Sequence, residues 1–322
     1  MNRALKLSVA VVLALAFGLM ALHVYRYERA MACVQRLGSS DQYITSYPVL
    51  YLDMALNQIY CGRLCNCLKR TSIHLENVRD DEMRIIGQGL NPHSVSLKNP
   101  RLSDEVMASI RCSSLSGDIP MTDRLAGEFR RHSRVESLSI NVSAMTVVGM
   151  RDLAAMRSLK SFDIDMDQSE FDDEWMQAMA SNRNLEFFHF YAVRCKVTDA
   201  GVHALASHPS LRILSPIGEL HLSDAGFHDL ANMPALAELS ICDEDVTDRA
   251  LGILSTSRTL ESLDIGLNTS TTDAGLLALK GCKSLQRLQL DEFAHTTAGA
   301  KALLRLSPHL KIQFGNAPVS LP

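Results

Sequence analysis

The sequence predicts an α/β repeat protein in which a short strand and a helix alternate many times along the chain. Leucine and other apolar residues recur with the spacing L-x-x-L-x-I/L. A Thr/Ser-Asp pair followed by apolar residues at helical spacing precedes most of these strand segments. The composition, 47% apolar and 21% charged over 322 residues, is typical of an ordered protein with a core rather than a disordered one.

The strand half of the unit repeats most regularly. Its central apolar residue returns every 24 to 26 residues, at Leu138, Phe162, Phe188, Leu214, Leu239, Leu263 and Leu288. A shortened copy around Ile312 closes the series, and weaker copies upstream include Ile73 and Val95. We therefore expect about 10 units over residues 71–316, each too small to bury its apolar face without its neighbours.

The helix half begins with a capping signal. In VTDAGVHAL and TTDAGLLAL, Thr and Asp side-chain oxygens can accept hydrogen bonds from the first N–H groups of the helix, and Asp favours the positive end of the helix dipole. The same Asp recurs at Asp123, Asp199, Asp224, Asp248 and Asp273. A catalytic acid has no reason to return once per unit, so we predict that each Asp caps its helix.

The repeating unit resembles the leucine-rich repeat. It is similar to the ribonuclease-inhibitor-like and cysteine-containing subtypes, and LKGCKSLQRLQL, with Cys282 three residues before Leu285, resembles the latter closely. The resemblance covers about three quarters of the chain. It implies a leucine-rich repeat solenoid, with a curved parallel sheet on the concave side and helices on the convex side.

The N-terminal residues 1–30 predict a signal anchor or transmembrane helix. A basic start precedes an apolar run from Leu7 to Leu22, which reaches about 19 residues when 23–25 are included, close to the ~20 that span a bilayer. A cleaved signal peptide, which would make the protein secreted, and a buried helix are the alternatives. We expect the repeat domain outside the cytoplasm, residues 31–70 as an N-terminal cap and linker, and 317–322 as a loosely packed tail.

The spacing of the cysteines does not match a standard metal-binding motif. Outside the cytoplasm, the cap cysteines are candidates for two disulfides, as caps of extracellular leucine-rich repeat proteins often hold them. Free thiols are the alternative, and C-x3-C-x-C is not a standard zinc spacing. The candidates for the disulfides are Cys33, Cys61, Cys65 and Cys67. The cysteines within the repeats, such as Cys282, are expected to be small buried hydrophobic residues.

The candidate binding surface consists of the strand residues that alternate with the core residues. It is polar and mildly acidic, with one aromatic strand near the middle. We expect either an interface hot spot in that strand or an aromatic strand covered by a neighbouring loop, and Pro216 in the next unit predicts a break or a pocket. The candidate partner-binding residues are Phe187, His189, Tyr191, Asp163, Asp165, Asp264, Gln289 and Asp291.

Function follows less directly from the sequence than the fold does. There is no nucleophile elbow, P-loop, zinc-protease motif or dinucleotide turn, so we expect neither an enzyme nor a cofactor. Removing the +3 charge of residues 1–30 from the net charge of −4 leaves −7, which argues against nucleic acid. We expect a membrane-tethered protein-binding module whose partner is a protein or peptide with exposed Lys or Arg. The alternatives are an F-box-like substrate-recognition subunit of a ubiquitin ligase, a repeat protein of unassigned role, and a hydrolase.

Overall fold

The protein divides into two compact units, each of which is described by itself. The computed structural model describes residues 72–90, 92–142, 144–242, 246–266, 270–290, 296–315 and 317–320, and residues 22, 24–26, 28–30, 32–33 and 36 nearer the N-terminus. The side chains of residues 167–169 and 242 are not described. The N-terminal unit comprises 1–119 and 132–135, and the C-terminal unit comprises 120–131 and 136–322.

The N-terminal unit contains true strand–helix repeats. Its strands β1 (Ser72–Glu76), β2 (Ser94–Lys98) and β3 (Ser114–Gly117) are parallel and adjacent in chain order. Helices α1 (Asp80–Gly89) and α2 (Asp104–Ala108) lie between them in the chain. The apolar residues that mark the weak sequence copies, Ile73 and Val95, are register partners and are buried.

Helical residues between 22 and 36 pack against α1. Ala30 and Cys33 are buried, and the Arg36 guanidinium donates to Glu82 Oε1 over 3.1 Å. The Cys33 thiol lies 3.9 Å from the Glu82 carbonyl oxygen. In the parts of the chain that the structure describes, no helix has both the length and the apolarity that a bilayer crossing needs. The anchor predicted for residues 1–30 and the remainder of the predicted cap, 37–70, lie largely outside the described residues.

The C-terminal unit repeats the same strand–helix alternation in a longer series. Strands β4 to β11 are parallel and adjacent in chain order, and β12 joins the edge antiparallel. The strands are β4 (Ser137–Asn141), β5 (Ser161–Asp172), β6 (Phe187–Lys196), β7 (Ile213–Ile217), β8 (Glu238–Cys242), β9 (Ser262–Gly266), β10 (Arg287–Leu290), β11 (Lys311–Phe314) and β12 (Ala317–Pro318). The helices are α3 (Asp123–His132), α4 (Val147–Ala154), α5 (Asp173–Ala180), α6 (Asp199–Leu205), α7 (Asp224–Asn232), α8 (Asp248–Leu254), α9 (Asp273–Ala278) and α10 (Thr297–Leu306).

The core of this unit lies between the strands and the helices. Alternate strand residues are mostly buried, because a strand turns alternate side chains to one face, and most apolar residues of the helices are buried against them. An aromatic cluster fills the core at β5 and β6, where Phe171 stacks on Phe190 with centroids 4.3 Å apart and Phe162 stacks on Phe188 at 6.1 Å. Phe188 and Phe190, which alternate with the outward residues of β6, are both fully buried. The fold is therefore an α/β repeat solenoid.

The recurring Asp residues cap differently from the sequence prediction. The residue before the helix, usually Thr or Ser and Asp172 in α5, caps that helix, whereas the Asp that opens the helix bonds to the next repeat. Asp173, for example, accepts from the Thr198 N–H at 2.7 Å, from the Thr198 hydroxyl at 2.7 Å and from the Gly201 N–H at 3.0 Å. Asp199 makes the same three bonds to Ser223 and Gly226. The carboxylate is one repeat upstream of the helix it caps, since it projects sideways along the stack.

The third residue of the capped helix affects how many bonds this link contains. A Cβ added at Gly201 would lie 2.5 Å from Asp173 Oδ1, so a side chain there would clash with the carboxylate that accepts from the Gly201 N–H. Ala250 occupies this position in α8, and there the upstream Asp224 forms an ion pair with Arg249 at 2.5 Å. The glycine of the T-D-A-G motif is thus part of the contact between repeats.

The break predicted at Pro216 does not occur. Strand β7 runs without interruption and pairs with β6 at every residue from Ile213 to Ile217. On the β8 side, Ser215 and Pro216 have no register partner, while Ile213, Leu214 and Ile217 do. A proline lacks only its own N–H, and therefore it disturbs one side of the ladder and leaves the strand intact.

Residues 317–320 of the tail that was predicted to be loosely packed lie at an ordered edge of the sheet. Ala317 and Pro318 pair antiparallel with Phe314 and Gln313, and the Val319 N–H donates to the Ile312 carbonyl at 2.8 Å. The physical reason is that β11 would otherwise end the sheet with unpaired backbone groups. The short strand β12, which carries a proline, covers them.

Candidate functional site

The sheet of the C-terminal unit has an open face, formed by the strand residues that alternate with the core. Strand register arranges these residues in rows across β4 to β11. In the row that contains Asp163, the neighbours are Ser139 on β4, His189 on β6 and Ser215 on β7. The predicted residues Asp163, His189 and Tyr191 therefore lie together on adjacent strands.

Asp163 is the centre of a hydrogen-bond network on this face. Its Oδ1 lies 2.5 Å from His189 Nδ1, and the Ser139 hydroxyl donates to its Oδ2 at 2.9 Å. The bond with His189 is the main cause that lowers the pKa of the Asp163 carboxyl, the bond from Ser139 adds to it, and partial burial opposes both. Asp163 is thus held ionised with 42% of its side chain exposed.

This network has two of the three groups that acyl transfer needs. An acid oriented against a histidine is the arrangement that supports a general base, but a nucleophile must lie within hydrogen-bond reach of the other ring nitrogen. Ser215 is the register neighbour of His189, yet within the described residues His189 has no hydrogen bond to a hydroxyl or thiol.

An exposed apolar patch borders the network. Phe187 and Ile213 are register partners and half-buried, and Tyr191 and Ile217 are register partners with 36% of each residue exposed. We call these four residues the apolar patch. The sequence prediction missed Ile213 and Ile217 because Pro216 made their strand look irregular, although strict alternation through I-L-S-P-I would have found them.

A polar groove continues from the apolar patch across β8 to β11. It has a volume of about 1290 Å³ and is bounded at its far end by Pro318 and Val319. Arg287 pairs with Glu238 at 2.7 Å across its floor. Of the other predicted residues, Asp264 lies in the groove beside Ser240, at 3.4 Å from its hydroxyl.

Gln289 and Asp291 complete the predicted set. Gln289 lines the groove, and its amide donates to the Gly315 carbonyl at 2.8 Å. It therefore holds the start of the C-terminal tail, while Asp291 lies outside the described residues. Phe187, Asp264 and Gln289 therefore line one continuous surface, and Gln289 lies at the end of it that borders the C-terminal tail.

Among the residues that the structure describes, the cysteines and the possible metal ligands form no second site. Cys33 is buried, and its proposed disulfide partners Cys61, Cys65 and Cys67 lie outside the described residues. Cys282 is buried, with its thiol 3.7 Å from the Ser257 carbonyl. Within the described ranges, no three His, Cys, Asp or Glu residues gather as a metal site would require.

Comparison with known proteins supports the fold. The chain is similar to a chain of the crystal structure of the yeast Rad7–Elc1 complex, with 18% identity, a TM-score of 0.52, and coverage of 76% of this chain and 68% of that one. The fold is that of a leucine-rich repeat protein. The strand–helix repeats and this similarity together support this fold. A similarity at 18% identity shows the fold alone.

Two further solved structures match less well. An internalin of Listeria monocytogenes is 17% identical with a TM-score of 0.42, over 73% of this chain and 70% of that one. A leucine-rich repeat protein of Leptospira interrogans is 15% identical with a TM-score of 0.39, over 72% and 74%. No protein-family model and no curated protein sequence matches the chain.

Proposed function

We propose that this protein is a non-enzymatic scaffold that binds a protein or peptide on the open face of its C-terminal unit. The observation that carries the proposal is the continuous surface formed by the apolar patch, the Asp163 network and the polar groove. Exposed apolar residues surrounded by polar ones are typical of interface hot spots. The absence of a hydroxyl or thiol bonded to His189 among the described residues supports binding rather than hydrolysis.

The N-terminal residues add a proposal about location. We propose that residues 1–30 are a retained signal anchor and that the repeats lie outside the cytoplasm, because the apolar run from Leu7 has a basic start. Membrane fractions washed with alkaline carbonate should retain the protein, and added protease should reach the repeats only from the extracytoplasmic side. Release by carbonate at full length would contradict the anchor, and release of a shortened chain would indicate a cleaved signal peptide.

A role as a recognition subunit of a ubiquitin ligase is the second candidate. The similarity to a chain of the Rad7–Elc1 complex favours examining it, although that similarity concerns the fold. The cysteine-containing repeat subtype, proposed from Cys282 and its neighbours, is common in F-box proteins. Co-purification of the tagged chain with ligase components would support this candidate, and their absence together with carbonate-resistant membrane association would exclude it.

The test of the binding proposal is a crosslinking pull-down from native membranes. The wild type is compared with Phe187→Ser/Tyr191→Ser, which removes two rings of the apolar patch. Val148→Ser/Leu306→Ser is the matched control, because both residues are exposed apolar residues on helices. We expect one set of captured proteins to be lost in the first variant and retained in the second, with both variants folded by circular dichroism. Equal capture by all three proteins would contradict the proposal.

A further inference from the structure

The apolar patch and the carboxylates beside it have a shape and charge that restrict the partner. We propose that the patch and Asp163 with Asp165 form one site for an extended peptide in which a large apolar residue lies two positions from Lys or Arg. The inference rests on the proposed function and names the chemistry of its ligand. Its elements are on the three adjacent strands β5, β6 and β7.

Strand register sets the distances within this site. Asp165 is the register partner of Tyr191, which is the partner of Ile217. Neighbouring strands lie about 4.8 Å apart, so the apolar side chains lie roughly 5 to 10 Å from the carboxylates. An extended chain advances about 3.3 Å per residue and turns alternate side chains to one side. Two side chains of a bound peptide that are two residues apart can therefore contact the carboxylates of β5 and the apolar patch at the same time.

The charges on either side of the patch differ. On the β5 side, Asp163 is held ionised, and a carboxylate has about four lone-pair directions, of which His189 and Ser139 use two. Its remaining acceptor capacity is partly exposed to an incoming ammonium or guanidinium. On the β8 side, the charge of Glu238 is paired with that of Arg287.

The same charges disfavour other ligands. Phosphate groups of a nucleic acid or an anionic lipid would meet Asp163 and Asp165, which repel them. An uncharged apolar ligand would leave the exposed part of the Asp163 carboxylate without a partner from the ligand. A cation beside an apolar residue satisfies both parts of the site at once.

A displayed library of random 12-residue peptides tests this inference on the full-length protein in detergent. Selected peptides should carry Lys or Arg two positions from a large apolar residue. Binding of a selected synthetic peptide, measured by fluorescence anisotropy, should weaken at least tenfold in Ile217→Ser and in Asp163→Asn/Asp165→Asn. It should not change in Val148→Ser or in Asp229→Asn, whose carboxylate lies on helix α7 and pairs with His203.

The outcomes separate this inference from the proposed function. Peptides that bind the apolar patch without a basic residue, or equally in Asp163→Asn/Asp165→Asn, overturn the inference and leave the protein-binding proposal intact. Failure to select any peptide that distinguishes Ile217→Ser from Val148→Ser contradicts both. A wild-type affinity that falls with added salt, while that of the double Asn variant does not, supports the ionic part of the site.

Discussion

Single residues connect one repeat to the next through backbone groups that a helix leaves unpaired. The Asp of one repeat satisfies N–H groups at the start of the next helix, as Asp123 does for Thr146 and Gly149. Burial works to raise the pKa of Asp123, but the bonds from Thr146 and Gly149 outweigh it and the pKa is lowered. The cap is therefore charged at neutral pH and couples two repeats.

Replacing the glycine at this contact should destabilise the protein. Gly201→Ala places a methyl group against the Asp173 carboxylate, and we expect a loss of about 2 kcal/mol in the free energy of unfolding because charged hydrogen bonds are displaced. Urea unfolding measures the change. Gly252→Ala is the control, since a Cβ there meets no atom within 4 Å, and it should stabilise helix α8 by about 0.5–1 kcal/mol. Equal effects of the two substitutions would contradict the role of the contact.

A buried histidine gives the stability of the C-terminal unit a pH dependence. His208 is fully buried, its Nε2 donates to the Asn182 carbonyl at 2.7 Å, and its Nδ1 accepts from the Leu211 N–H at 3.1 Å. Only the neutral ring can make both bonds. Burial lowers the pKa of His208 from its ordinary value of 6.5, the bond to Asn182 opposes this, and nearby Arg183 adds to the lowering.

The sign of the pH effect follows from that lowered pKa. Below about pH 6.5 the unfolded chain binds a proton at His208 that the folded protein resists. The contribution of the neutral His208 to folding stability is therefore complete above pH 6.5 and is lost as the pH falls towards the pKa of the folded protein. Urea unfolding at pH 7.5 and 5.5 should show a larger loss of stability in the wild type than in His208→Asn. Identical losses in the two proteins would show that His208 is not the group responsible.

The strands differ in how their backbone hydrogen-bonding groups find partners. Strand β7 tolerates Pro216 because β6 still pairs with it throughout. Strand β5 extends to Asp172 and pairs with β6 beyond the usual five residues, which brings Phe171 into the aromatic core. The last parallel strand, β11, depends on β12 to cover its edge.

Removal of the last strand should expose a pairing edge. A chain that ends at Gly315 lacks β12 and the bond from Val319 to Ile312, so we expect concentration-dependent self-association through β11. Light scattering after size-exclusion chromatography, at two concentrations, measures it. A chain that ends at Ser320 keeps β12 and serves as the control. If both truncations have the same mass at both concentrations, β12 does not protect the edge.

For the whole molecule, periodicity predicted the architecture better than it predicted the site. The leucine spacing is enough to place the strands, the core residues such as Phe188 and the outward residues such as Tyr191, because each repeat has the same period. The partners of polar side chains depend on strand register across repeats. The sequence therefore could not pair Asp163 with His189, nor assign Asp173 to the following helix, and the proline in β7 concealed Ile213 and Ile217.

The proposed function requires that the open face of the C-terminal unit contacts a partner protein in the cell. Site-specific photocrosslinking tests it most directly, with a benzoylphenylalanine placed at Tyr191 or, as the control, at Val148 on helix α4. We predict a discrete crosslinked product from position 191 and none of the same mass from position 148. Crosslinks of the same mass from both positions, or from position 148 alone, would contradict the proposed binding on the open face.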